Sequence, residues 1–191
     1  MPATLTPVSL RLTPEEYFAW EETQEEKHDY VHGEVFSMSG ATRTHHDIAF
    51  NVAVALRIVF RDTERSVYTS DMRVQVEPSG RYTYPDLSAV NGASEFVDAK
   101  ETTLTNPALI IEVLSESTEA YDRGEKLAAY REVSTIQEIV LIRQDRRAAE
   151  VYRREGENRW SIEEIPGDGT LELASVSATV GMDEVYAGTG V

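Results

Sequence analysis

From Ala108 to Leu114 the chain reads ALIIEVL, a run of apolar side chains interrupted by one acid, Glu112. Such a run is too continuously apolar for a half-exposed strand and predicts one that is covered on both faces. A carboxylate in its middle needs a reason. Taking an ionised group out of water costs several kcal/mol even after relaxation, so carboxylates inside apolar strands are normally paired, hydrogen-bonded or bound to a metal. A second acid stands in a comparable place: Asp86 follows Pro85 and heads the apolar run Leu87, Ala89, Val90. Two carboxylates on neighbouring strands can share one divalent cation.

The remaining elements follow from local signals. Thr13, Pro14 and Glu16 form a capping box with proline at the first helical position, which predicts a short helix from about Pro14 to Glu22. HDYVHGEVFSM predicts a hairpin turning at His32-Gly33, with Glu34 opening its second strand. Between Thr44 and Phe60, Ile48, Val52, Leu56 and Val59 recur at helical spacing. Met72, Val74 and Val76 alternate with Arg73 and Gln75 as a strand, and SGRYTYPD turns the chain toward the Asp86 strand, which would suit a hairpin of the two. The buried run Ala108 to Leu114, a helix from Tyr121 to Val133 and a strand from Glu138 to Ile142 read as a βαβ crossover with parallel strands. Ala148 to Arg153 and Trp160 to Glu164 then form a closing hairpin around GEN. The fold class is α/β, with a mixed central sheet flanked by helices.

The 191 residues show no linker or composition break, so residues 1–191 are expected to form a single domain with short tails. No run of about 18 or more apolar residues occurs, and MPATLTPVSLRLTPEEY lacks the pattern of a signal peptide, which leads to the expectation of a soluble cytoplasmic protein away from membranes. Cysteine is absent, so disulfides, zinc–thiolate sites and cysteine nucleophiles are excluded. A metal must then sit on oxygen or histidine, and an all-carboxylate set favours Mg²⁺ or Mn²⁺. With 18 basic against 34 acidic residues the formal charge is −16, which opposes loose, charge-driven binding of nucleic acid.

Hydrolysis of a phosphodiester requires a nucleophilic water, neutralisation of charge at the phosphate and help for the departing alkoxide. A metal held by Asp86 and Glu112 would supply the first two. Lys126 in EAYDRGEKLAAY would orient the water or stabilise developing charge, and Glu34 would complete the acidic shell. His45 and His46 precede the main helix, but adjacent helical residues point in different directions, so at most one faces a site, and His46 is the better candidate. Ser115, Ser117 and Thr118 read chiefly as capping residues, with phosphate contact as the alternative, and Tyr82 and Tyr84 as packing or groove residues.

Asp86, Glu112 and Lys126 resemble a variant of the PD-(D/E)XK nuclease signature, with Pro85-Asp86 as its PD. Around them, EKHDYVHGEVFSMSGATRTHHDIAFNVAVAL, YTSDMRV, RYTYPDLSAV, NPALIIEVLSESTEAYDRGEKLAAYR and IQEIVLI resemble, in order, the Uma-type family of restriction endonucleases, roughly from Thr13 to Arg153. The resemblance implies a restriction-endonuclease-like core, Mg²⁺ dependence, DNA as substrate and a site built on Glu34, Asp86, Glu112 and Lys126. One departure concerns the cation. The position two after Glu112, where the superfamily carries lysine, is Leu114, so Lys126 must reach back from the crossover helix. Cutting both strands of a duplex usually takes two sites, which leads by analogy to a homodimer with the hairpin and N-terminal helix as contacts. The rival readings are a catalytically silent nuclease-fold binding or assembly module, consistent with the acidity and the missing strand lysine, and a hydrolase of a small phosphate compound.

Overall fold

The computed structural model describes residues 6–38, 40–77 and 80–191, and divides the strands between two six-stranded sheets and a two-stranded one. The chain begins with β1 (Thr6–Arg11), α1 (Pro14–Glu21), β2 (His28–Val31), β3 (Glu34–Ser37) and α2 (Arg43–Val59). It continues through β4 (Ser66–Thr69), β5 (Arg73–Glu77), β6 (Arg81–Thr83), β7 (Leu87–Val90), β8 (Thr103–Leu104) and β9 (Leu109–Leu114). After β9 come α3 (Glu119–Tyr121), a π-helical turn (Asp122–Lys126) and α4 (Leu127–Glu132), then β10 (Glu138–Arg143), β11 (Ala148–Gly156) and β12 (Arg159–Pro166). β13 (Thr170–Leu173), β14 (Ala178–Gly181) and α5 (Met182–Val185) finish the fold.

Most elements form where their residues require them. Thr13 accepts the Glu16 N–H and the Glu16 carboxylate reaches back to the Thr13 N–H, so α1 starts with a complete capping box. His32 and Gly33, at φ 49° and 94°, make the tight turn between β2 and β3 with both central residues left-handed. β9 and β10 pair in parallel through the helical crossover. The closing hairpin of β11 and β12 is longer than its sequence signal at both ends.

One expected pairing does not form. The β5 strand pairs with β6, whereas the strand after Asp86, β7, lies in the other sheet between β4 and β9. The chain leaves one sheet for the other at Tyr84-Pro85-Asp86, where proline offers no N–H to continue a ladder. Of the turn before it, residues 78 and 79 lie outside the described residues. There are accordingly two large sheets where the sequence pointed to one: β1-β3-β2-β6-β5-β8 and β12-β11-β10-β9-β7-β4.

The centre of the second sheet is buried on both faces, which is why ALIIEVL is apolar but for Glu112. Leu109, Ile111 and Val113 face a core under α2 that also takes in Val180, Met182 and Val185. Ile110 and Leu114 face the opposite core, with Leu127, Tyr130 and Ile139. Each fully buried Leu or Ile contributes on the order of 1.5–3 kcal/mol relative to exposure. By the alternation of a strand, Glu112 shares the second face with Ile110 and Leu114. A third cluster, of Tyr17, Tyr30, Val35 and Tyr82, joins α1 to the first sheet. Among the described residues no helix is long and apolar enough to cross a membrane.

Candidate active site

In the antiparallel pairing of β7 with β9, Leu87 stands opposite Ile111 and Ser88 opposite Ile110. One step further along that register, Asp86 meets Glu112, and residues directly opposite each other project from the same face. The ladder is replaced there by side chains. The Val113 N–H donates to Asp86 Oδ2 at 2.7 Å, and the Asp86 N–H lies 3.4 Å from Glu112 Oε2.

The crossover helix supplies the cation. Lys126 Nζ lies 2.8 Å from Glu112 Oε1, and Tyr130 donates its hydroxyl to the same oxygen at 2.7 Å. Asp122 Oδ1 is 3.8 Å from the ammonium. Asp122, Lys126 and Tyr130 are four residues apart, a spacing that drifts around a regular α-helix by about 40° per step. The π turn takes up that drift: the Leu127 N–H bonds back to the Asp122 carbonyl, five residues earlier, and the wider turn brings Asp122 back into line. Lys126 thus reaches Glu112 from the helix, where Leu114 of the strand offers no cation.

α2 contributes His45. Thr42 caps this helix by accepting the His45 N–H, and its hydroxyl donates to Gln144 just past β10. The first turn of α2 therefore sits at the carboxyl ends of the parallel strands, the usual place for sites in α/β sheets. His45 Nε2 is 3.0 Å from Asp86 Oδ1. His46, the better candidate by sequence, is exposed and stacks on Phe50.

Glu34 is not brought into this cluster. It is half-exposed at the head of β3, ion-paired with Arg11 at 2.7 Å. β3 is separated from β6 by β2, about 10 Å of sheet. A different acid of that hairpin approaches the site: Asp29 on β2 is buried, accepts the Tyr84 N–H at 3.1 Å and interacts electrostatically with Lys126. Asp29 carries no sequence signal beyond a charge within the strand HDYV. Ser115, Ser117 and Thr118 bond mainly to one another in the turn after β9. Tyr82 packs in the third cluster, and the Tyr84 hydroxyl donates to Glu21.

The cluster therefore holds four carboxylates, Asp29, Asp86, Glu112 and Asp122, against two permanent cations, Lys126 and Arg81. Burial, opposed by Lys126 and reinforced by Asp86 and Asp122, pushes the Glu112 carboxyl up to about 8. Burial also raises Asp29 and Asp122, again opposed by Lys126. For Lys126 itself burial acts downward, but Glu112, Tyr130, Asp29 and Asp122 outweigh it and hold the ammonium well above its ordinary value. The two donors converging on Glu112 Oε1 suit the ionised form, which burial and the surplus negative charge oppose. Burial lowers His45, while its hydrogen bond to Asp86 and that residue's charge raise it to a net increase.

This donor set fits a hard divalent cation. The ligands are oxygens, negative charge is in excess, and His45 Nδ1 and the Tyr121 hydroxyl are buried near the cluster without hydrogen-bond partners. Among the described residues no three ligating side chains are gathered in the manner of an all-protein cage. Mg²⁺ needs none: it typically binds through one or two carboxylates, completing its shell with water and phosphate. Asp86 and Glu112 would hold it.

Two sheets flanked by helices, with paired carboxylates and an amine where β7 meets β9, define a nuclease-type α/β fold. It matches, with a TM-score of 0.72 over 92% of this chain and 97% of the other at 17% identity, the crystal structure of a "putative nuclease belonging to DUF820" from Anabaena variabilis. The chain belongs to the Uma2 family, described as "putative restriction endonuclease", which it matches over residues 14–182. It is 34% identical over 157 residues to one uncharacterized protein of Synechocystis sp., covering 82% of this chain and 89% of that one. A second uncharacterized Synechocystis protein is 32% identical over 179 residues, 93% of each chain.

Proposed function

We propose that the protein is a divalent-metal-dependent endonuclease that hydrolyses phosphodiester bonds in DNA, acting in the cytoplasm as a homodimer. The observation that carries this reading is the meeting of Asp86, Glu112 and Lys126 around one point, with an uncompensated excess of buried carboxylate. Membership of a family described as restriction endonucleases supports phosphodiesters as the substrate class. Mg²⁺ or Mn²⁺, when bound, supplies charge neutralisation at the phosphate and lowers the pKa of water.

The chain's own residues do the rest. Asp86 is fixed by the Val113 N–H and His45, and Glu112 by Tyr130 and Lys126, so both carboxylates are positioned before substrate arrives. The Lys126 ammonium, held protonated by its acidic neighbours, donates to the scissile phosphate as its charge grows. At a formal charge of −16 the protein has no net long-range pull on DNA, so binding depends on the bound cation and on close contacts.

Calorimetric titration of Mn²⁺ into the protein and into Glu112→Ala, followed by plasmid nicking with and without Lys126→Ala, tests the reading. Binding by the first protein alone, together with nicking that falls about 100- to 1000-fold in the lysine variant, is the expected result. Absence of Mn²⁺ binding would overturn it. Mn²⁺ binding without nicking would favour the silent binding module.

A further inference from the structure

The inner side of α2 is covered, since Ile48, Val52, Ala55 and Leu56 are buried, but its outer side is apolar as well. Phe50 is 60% exposed, Ile58 58% and Val54 40%. A solvated helix face normally carries charges. Here three large apolar side chains follow at every fourth residue, a row about 12 Å long. Beside its C-terminal end lies a groove of about 470 Å³, lined in part by Val54, Arg57, Ile58, Phe60, Arg61 and Arg65.

We propose that this face binds a second copy of the chain, α2 against α2, antiparallel about a twofold axis at Val54. Such an axis sets Phe50 of each copy beside Ile58 of the other, so that a protruding ring at one end meets the groove at the other, twice over. Asp47 lies seven residues before Val54, the spacing that keeps one helix face, and Arg61 follows in the turn just past the end of α2. The axis brings Asp47 against Arg61 and His46 against Asp62, and a parallel arrangement would instead oppose like charges.

Electrostatics single out this face. Two copies at −16 each repel, so a stable contact needs a locally neutral or basic surface. Between Arg43 and Arg65 the chain carries four arginines against three acids, Asp47, Asp62 and Glu64. The N-terminal helix, a contact expected from sequence, offers less: α1 turns Tyr17 fully inward and lays Phe18 and Trp20 against the third cluster. The pairing rests on the homodimer of the proposed function and would supply the two sites that a duplex cut requires, but it does not depend on cleavage.

Sedimentation equilibrium of the full chain at roughly 50 µM tests the proposal without reference to cleavage. The protein is expected to be a dimer, and Phe50→Glu, with unchanged circular dichroism, to raise the dissociation constant about 100-fold or more. Asp47→Arg and Arg61→Asp should each weaken association about tenfold, and the double variant should return to within about threefold of the original, because the reversed charges meet again across the axis. A monomer at this concentration, a dimer indifferent to Phe50→Glu, or a double variant no tighter than the single ones would overturn the proposal.

Discussion

Glu112→Gln should make the cation-free protein more stable while ending its chemistry, and the gain should grow with pH. In the folded chain the Glu112 carboxyl keeps its proton up to about 8, against 4.5 for an ordinary glutamate in the unfolded chain. Its folded pKa is therefore raised. The stabilising contribution is complete below about pH 4.5 and is lost as pH rises through about 8, because the unfolded chain releases the proton first. At about 1.4 kcal/mol for each tenfold change in proton affinity, the ceiling on this loss is about 5 kcal/mol. Glutamine removes the charge, keeps the shape and still accepts from Tyr130, but it leaves Lys126 with Asp122 at 3.8 Å as its remaining close carboxylate. The Lys126 attraction is already contained in the raised Glu112 value, and relaxation of the buried site keeps the gain below that ceiling. A net stabilisation of about 2 kcal/mol at pH 8, vanishing near pH 5, is the expected balance. For a chain of this size that corresponds to a melting temperature raised by roughly 4–8 °C. Thermal melts of both proteins in EDTA from pH 5 to 8.5 measure it, and added Mg²⁺ should raise the melting temperature of the unsubstituted protein alone. If that protein melts higher than Glu112→Gln at pH 8, or if the gap is flat with pH, the site is not overcharged and the case for a resident cation fails.

Three further substitutions separate the parts of the site. Tyr130→Phe removes a buried hydrogen bond to Glu112 Oε1 and leaves Thr83 Oγ1, 3.2 Å from that hydroxyl, without it, so urea unfolding should show a loss of about 1–2 kcal/mol at unchanged m-value. His45→Ala should weaken Mn²⁺ binding by calorimetry about 10- to 100-fold, because His45 orients Asp86 from outside; an unchanged affinity would reduce it to a helix-end residue. Glu34→Ala should leave plasmid nicking unchanged and alter stability by less than about 1 kcal/mol, since its exposed pair with Arg11 lies on the hairpin; a large loss of activity would restore Glu34 to the site.

The acids of the site were legible because their cost is local. Glu112 is conspicuous inside ALIIEVL whatever surrounds it, and Asp86 because Pro85 marks where a strand begins. The His32-Gly33 turn and the Thr13 capping box were legible for the same reason, being determined within four residues. The two-stranded finish could have been read: Leu171 and Leu173, then Ala178 and Val180, alternate inward along TLEL and ATVG. What the sequence hid depends on how one element is phased against another. His45 rather than His46 faces Asp86 because the cap at Thr42 fixes the rotation of α2 against the sheet. Asp29 looks like any strand acid until β2 is laid beside β6.

The π turn shows why this phasing is confined to the site. Residues of a regular helix at the spacing of Asp122, Lys126 and Tyr130 fan out by about 80° over two steps, which suits packing but would turn one of the three away from Glu112. A widened turn is the less favourable backbone, and short propensity rules give no reason for it in DRGEK, whose Gly124 meets nothing within 4 Å where a Cβ would stand. The distortion is compensated by the contacts that it permits: an ammonium at 2.8 Å and a hydroxyl at 2.7 Å on one carboxylate oxygen. An apolar residue in place of Glu112 would remove both the buried charge and the need for the wide turn. The chain thus retains three buried acids, a half-buried fourth, a distorted helix and a cation brought from fourteen residues downstream, at a cost to stability that packing alone does not explain.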